Sequence, residues 1–153
     1  MRRRNTESPL IKIRTAKLKD VLKIAKIEKE SFDRPWGADA FAMELFKKFS
    51  KIFVVECDSG VSGYAVVWFI GSEAYIANVA VAPRMRGKGL ATCLIDAVIG
   101  EARERGCSSV VLEVKRGNKP AINLYKKFGF EVVGVREKMY SDGEDGLIME
   151  KLL

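Results

Sequence analysis

A single mixed α/β domain, with a central sheet of about seven strands flanked by about four helices, is the fold class this chain predicts. Three observations carry it. Short runs with strand alternation recur along the chain, separated by segments with helical apolar spacing. Turn and capping residues stand between them: DRPWG, DSG, RMRGKG, the Asn118–Pro120 pair and Gly129. At 153 residues and 48% hydrophobic content, the chain is about one domain's worth, enough for a proper core.

The elements follow in order. LIKIRTA alternates as a half-buried strand does. From Leu18, the residues Val21, Ile24, Ala25, Glu28 and Phe32 trace a mostly apolar helical stripe. DRPWG breaks it, and ADAFAMELFKKF resumes as a second short helix. KIFVVEC and VSGYAVVWFI flank DSG, a three-residue hairpin signal, and EAYIANVAVA is a further strand. After RMRGKG comes a helix of about 15 residues, then SSVVLEVK as a strand. Asn118 and Pro120 open the helix KPAINLYKKF, and Gly129 closes it. FEVVGVREKMY and GLIMEKLL are two last strands joined by SDGEDG. No repeat, low-complexity tract or linker interrupts the order β-α-α-β-β-β-α-β-α-β-β. Residues 1–9 are expected to form a flexible basic tail, and residues 10–153 the domain.

Composition removes several mechanisms. The chain has no histidine, and Cys57, Cys93 and Cys107 have no metal-ligand spacing. Zinc hydrolysis, Ser-His-Asp catalysis and Cys-His catalysis are therefore excluded, and no metal is expected. Proton transfer must use a carboxylate, a tyrosine, a lysine, a thiol or water. Few, unpaired cysteines, with no secretory apolar segment, predict a cytoplasmic protein. No run approaches the roughly 20 apolar residues of a membrane span. Net charge is +7, of which Arg2, Arg3 and Arg4 supply three. That excess suits a polyanionic ligand or an RNA-rich neighbourhood as well as an ordinary charged surface. Direct nucleic-acid binding is not expected, since basic and aromatic residues are not interleaved.

The turn VAPRMRGKGLAT, residues 81–92, lifts the chain from a strand into a helix. A dinucleotide fingerprint fails there. Thr92 replaces the third glycine, and Glu113 lies 26 residues beyond Gly87 rather than about 20. A phosphate cradle survives: glycines expose the unpaired N–H groups of a helix start, and Arg84, Arg86 and Lys88 add charge. From the residues alone, a basic turn that merely caps a helix explains the segment equally well.

Arg86-Gly87-Lys88-Gly89-Leu90-Ala91, after the strand Val79-Ala80-Val81 and the Pro83 turn, resembles the acetyl-CoA signature of the GCN5-related N-acetyltransferases. The resemblance covers roughly residues 10 to 153. LEVKRGNKPAINLYKKFGFEVVG and MYSDGEDGLIME narrow it to the protein N-terminal branch, the ribosomal-protein alanine acetyltransferases and their archaeal relatives. It implies an acetyltransferase fold, acetyl-CoA as donor and direct transfer in a ternary complex. Acetyl-CoA would contact Arg86, Gly87, Lys88, Gly89, Leu90, Ala91 and Thr92, with Val79, Ala80 and Val81 beside the thioester. Glu113 carries over as general base, Tyr125 as general acid at the cofactor sulfur, and Asn118 as a cofactor contact. Phe32, Trp36 and Tyr140 stand where the branch frames its substrate peptide. Two departures are visible. Some relatives place a histidine base on the strand before the glycine turn, where Tyr75 is the nearest polar residue here. Paired tyrosines often precede "DGED" in relatives, whereas this chain has Met139-Tyr140.

Bland roles exist for each residue. Glu113 alternates with Val110, Leu112 and Val114, as a solvated strand-edge glutamate also would. Tyr125 falls on the apolar face of its helix, as a core tyrosine would. Asn118 caps, and Phe32 and Trp36 suit a core. The expected activity is acetyl transfer to protein N-termini, ribosomal or nascent chains included, with an auxiliary subunit as a further expected partner class. The alternatives are a lysine or small polyamine acceptor, for which the SDGEDG turn would form an acidic pocket, or a non-catalytic CoA- or RNA-binding module.

Overall fold

Seven strands form one sheet in the order β1-β2-β3-β4-β5-β7-β6 in a computed structural model that describes residues 10–153. The expected tail, residues 1–9, lies outside the described residues. The strands are β1 (Lys12–Thr15), β2 (Ser50–Cys57), β3 (Gly60–Ile70), β4 (Glu73–Val81), β5 (Ser109–Lys115), β6 (Glu131–Arg136) and β7 (Gly146–Leu152). The helices are α1 (Val21–Ser31), α2 (Ala38–Glu44), α3 (Leu90–Glu104) and α4 (Lys119–Lys127), with 3-10 turns at Leu18–Asp20 and Pro83–Met85. This is the predicted element order.

The central strands are apolar on both faces because helices cover both. Phe53, Val55, Ala65 and Val67 pack with Leu90, Leu94, Ile95 and Val98 of α3 on one side. Ile52, Val54, Tyr64 and Val66 pack with Val21, Ile24 and Ile27 of α1 and Phe41 of α2 on the other. Strands so covered read as continuous hydrophobic runs. The β2–β3 hairpin is tighter than expected. Cys57 pairs with Gly60, so Asp58 and Ser59 alone connect the strands, and the glycine enters the ladder at φ +102°. α2 also ends sooner than expected, at Glu44 rather than Phe49. Glu44 is buried, accepting from Lys47, Ser50 and Trp68, and this knot turns the chain into β2.

Two features of β4 position the site. Val66 pairs with Asn78 but Val67 with Ile76, so Ala77 bulges out of the ladder. Pairing with parallel β5 covers only Glu73 to Ile76 against Ser109 to Leu112. Beyond the bulge the two strands part, leaving a gap in the middle of the sheet.

Candidate active site

The gap exposes backbone donors. Ala82 donates its N–H to Ser62 of β3, and Ala80 pairs with Tyr64 two residues earlier. Strand alternation therefore turns the N–H groups of Val79 and Val81 away from β3, toward the space β5 has vacated. Two donors on one strand edge, unclaimed by the sheet, can hold an oxygen that gains negative charge.

The glycine turn lies at the end of the same strand. Pro83–Met85 make one 3-10 turn, and Gly87 and Gly89 follow at φ +78° and +81°. Gly89 is the N-cap of α3, and no side chain caps that helix, so the N–H groups of its first turn are left for a ligand. A cleft of about 320 Å³ opens here, lined by Gly87, Gly89, Ala91 and Thr92 on one wall and Pro120 and Leu124 of α4 on the other. A Cβ on either glycine would meet no protein atom within 4 Å, so what these positions require is the left-handed backbone itself. The uncapped helix start, the left-handed glycines and the exposed Arg84 and Lys88 fit a pyrophosphate. Gly89→Val is accordingly expected to weaken acetyl-CoA binding roughly tenfold or more through backbone strain. Calorimetric titration with acetyl-CoA checks it.

Arg86 is exposed, with its guanidinium folded back along the surface. Its Nε donates to the Val81 carbonyl at 3.0 Å and its Nη2 to Ser31 Oγ at 3.0 Å, joining the turn to β4 and to the end of α1. Arg86 also lines the cleft.

Glu113 is not on a strand edge. β5 lies between β4 and β7, and the Glu113 side chain is 9% exposed. Val110, Leu112 and Val114 join the core beneath α3, so Glu113 points to the α1 face, as alternation predicts. Its Oε1 lies 3.3 Å from Arg136 Nη2, and its buried Oε2 has no hydrogen-bond partner. A buried carboxylate oxygen with no donor is costly unless a ligand or water completes it. The Glu113 charge acts on two phenols. Burial and the Glu113 charge push Tyr75 up to about 12, without a closed hydrogen bond to Oε2. The same two causes raise Tyr140.

Tyr125 approaches from the opposite side of the sheet. It is buried among the α3-side core residues with its ring 5.8 Å from Phe130, and burial is the main cause that raises its phenol to about 12. The Tyr140 phenol adds a smaller contribution in the same direction. Asn118 holds its capping role: Oδ1 accepts from the Ala121 N–H at 3.2 Å.

Two lips rim the α1 face. One is the α1–α2 loop, where Phe32 is exposed and Trp36 is partly buried, with its ring 5.2 Å from that of Phe41. Phe32 therefore lies past the end of α1, outside the helical stripe predicted for it. The other is the β6–β7 loop, where Tyr140 sits 5.6 Å from Lys115 Nζ. The loop's acids are already engaged. Asp142 pairs with Lys115 and accepts from the Glu144 N–H, Glu144 accepts from the Gly117 N–H, and Asp145 accepts from the Lys138 N–H and pairs with Arg116. They fold the loop onto β5.

Residues 20–130 match the model of the acetyltransferase (GNAT) family, and the chain belongs to that family. It is an N-acetyltransferase whose donor is acetyl-CoA. A Bacillus subtilis protein described as a putative ribosomal protein bS18-alanine N-acetyltransferase is 37% identical over 139 residues, 90% of this chain and 92% of that one. An N-alpha-acetyltransferase of Sulfurisphaera tokodaii is 33% identical, with 90% of each chain covered. Among solved structures, the ribosomal-protein-S18-alanine N-acetyltransferase of Escherichia coli superposes with a TM-score of 0.87 at 28% identity, covering 94% of both chains.

Sequence reasoning passed over Glu28, Asn78 and Arg136. Glu28 stood out only as one acid on an apolar stripe and Asn78 as one amide in an apolar strand. Those exceptions to pattern were the available signal. Arg136 gave none, since β7 separates its strand from Glu113.

Proposed function

We propose that this protein acetylates the α-amino groups of protein N-termini, and that a ribosomal-protein N-terminus is the first acceptor to try. The observation that carries the reading is the half-satisfied, buried Glu113 carboxylate at the splayed β4–β5 gap, between two lips with aromatic side chains. A terminal α-amine has a pKa near ~8, so about a tenth of it is neutral at pH 7; a lysine at ~10.4 is far more protonated. One carboxylate suffices to take the proton of the easier amine, directly or through one water.

Each residue has a role in this reading. Bound acetyl-CoA supplies an acetyl thioester and departs as the thiol. Gly87, Gly89 and the first turn of α3 hold its phosphates. The Val79 and Val81 N–H groups hold the carbonyl oxygen as charge gathers on it. Glu113 Oε2 receives a proton from the amine as the C–N bond forms. Tyr125 gives its proton to the sulfur as the C–S bond breaks, and Asn118 keeps the start of α4 in place beside the cleft. Phe32, Trp36 and Tyr140 enclose the first residues of the peptide. A polyamine acceptor would have to compete for acids that already pair with Lys115, Arg116 and backbone N–H groups.

Thiol release from acetyl-CoA, followed with peptides starting Ser, Ala, Met-Leu or Met-Glu and with their N-blocked twins, tests the reading. Turnover on the free set and none on the blocked set, even where lysine is present, is expected. Equal turnover on blocked, lysine-containing twins would move the acceptor to lysine.

A further inference from the structure

We propose that Glu28 is a positioning residue for the acceptor: its buried carboxylate ties the Phe32–Trp36 lip to the reactive strand β4. Glu28 is 2% exposed and has no ion-pair partner among the described residues. Burying a carboxylate without a cation is costly, and an apolar side chain on the α1 stripe would pack there without that cost. The carboxylate is instead surrounded by donors from three separate elements. Oε2 accepts the Trp36 backbone N–H at 3.0 Å. Oε1 accepts from Asn78 Nδ2 at 2.8 Å and from the Tyr64 hydroxyl.

These partners have different jobs in the fold. Tyr64 belongs to the rigid centre of β3. Asn78 follows the Ala77 bulge and directly precedes the free N–H of Val79. Trp36 belongs to the lip, whose backbone between residues 33 and 36 is held, among the described residues, by this bond to Glu28. One carboxylate therefore sets the distance between the loop that would receive the peptide and the strand that would receive the acetyl oxygen. A displacement of about 1 Å in such a distance costs up to 10²-fold in rate.

The inference rests on the lip being the acceptor site, and the test separates the two. In the full-length protein, Glu28→Leu is expected to raise the KM of an Ala-initiated peptide roughly tenfold and leave the acetyl-CoA KM within about twofold. Amide exchange at Trp36 should quicken, and Glu28→Gln, which keeps an acceptor oxygen, should recover most of the peptide affinity. Parallel loss of donor and acceptor constants, or a wild-type peptide KM in folded Glu28→Leu, overturns the proposal. Should Glu28→Leu not fold, Glu28→Gln decides alone: a rise of about threefold in peptide KM with faster Trp36 exchange supports it, and no change overturns it. Phe32→Ala is the companion variant. If it raises peptide KM while Glu28→Leu does not, the role of Glu28 fails by itself. If it changes nothing, the lip is not the acceptor site and both readings fall.

Discussion

Glu113→Gln is expected to lower kcat/KM for a free peptide at pH 7 on the order of 10²–10³-fold, with the acetyl-CoA Kd within about twofold. The carboxamide keeps the shape of a side chain that is 9% exposed, and so keeps the packing between β4 and β7. It loses the basic oxygen that now stands without a partner, and it weakens the pairing with Arg136. The loss should shrink as pH rises. An α-amine with a pKa near ~8 becomes neutral without help between about pH 7 and 9, so the variant gains rate over that range relative to wild type. Wild-type rates at pH 7 in the variant would move the base elsewhere.

Tyr125→Phe is expected to reduce kcat roughly 10²-fold and to leave acetyl-CoA binding nearly unchanged. The ring fills the core beside Phe130, and phenylalanine preserves that contact. What disappears is a proton held by a phenol at about 12. A raised pKa keeps the acid form through the whole working range. Wild-type activity should accordingly show no alkaline fall from this group below about pH 10, and single-turnover kinetics in the variant should locate the loss in the transfer step. Loss of acetyl-CoA affinity with intact turnover would make Tyr125 a binding residue.

Much of this architecture is legible in the chain because the relevant physics is local. Gly87 and Gly89 announce a turn that lifts a strand into a helix, Asn118 and Pro120 a helix start, and apolar runs such as VSGYAVVWFI a strand. Alternation also places Glu113 on the face away from Val110 and Leu112. It does not say what waits there. That β5 lies in the interior of the sheet, that Arg136 reaches across β7 and that the Glu113 charge acts on Tyr75 and Tyr140 are consequences of strand order, which no local pattern encodes. The gap at β4 has the same origin: Ala77 bulges because of how β3 and β4 register, and nothing in ANVAV marks it. Arg86 is a further case. Its residue type suggests a phosphate contact, and nothing local shows that its guanidinium also donates to the Val81 carbonyl and the Ser31 hydroxyl.

The most direct measurement uses one peptide with a free α-amine at its first residue and a lysine further along. It is incubated with the protein and acetyl-CoA, and the acetyl group is located by fragmentation mass spectrometry. The account predicts a single acetyl group, on the α-nitrogen. An acetyl group on the lysine side chain, with the α-amine left free, would contradict it.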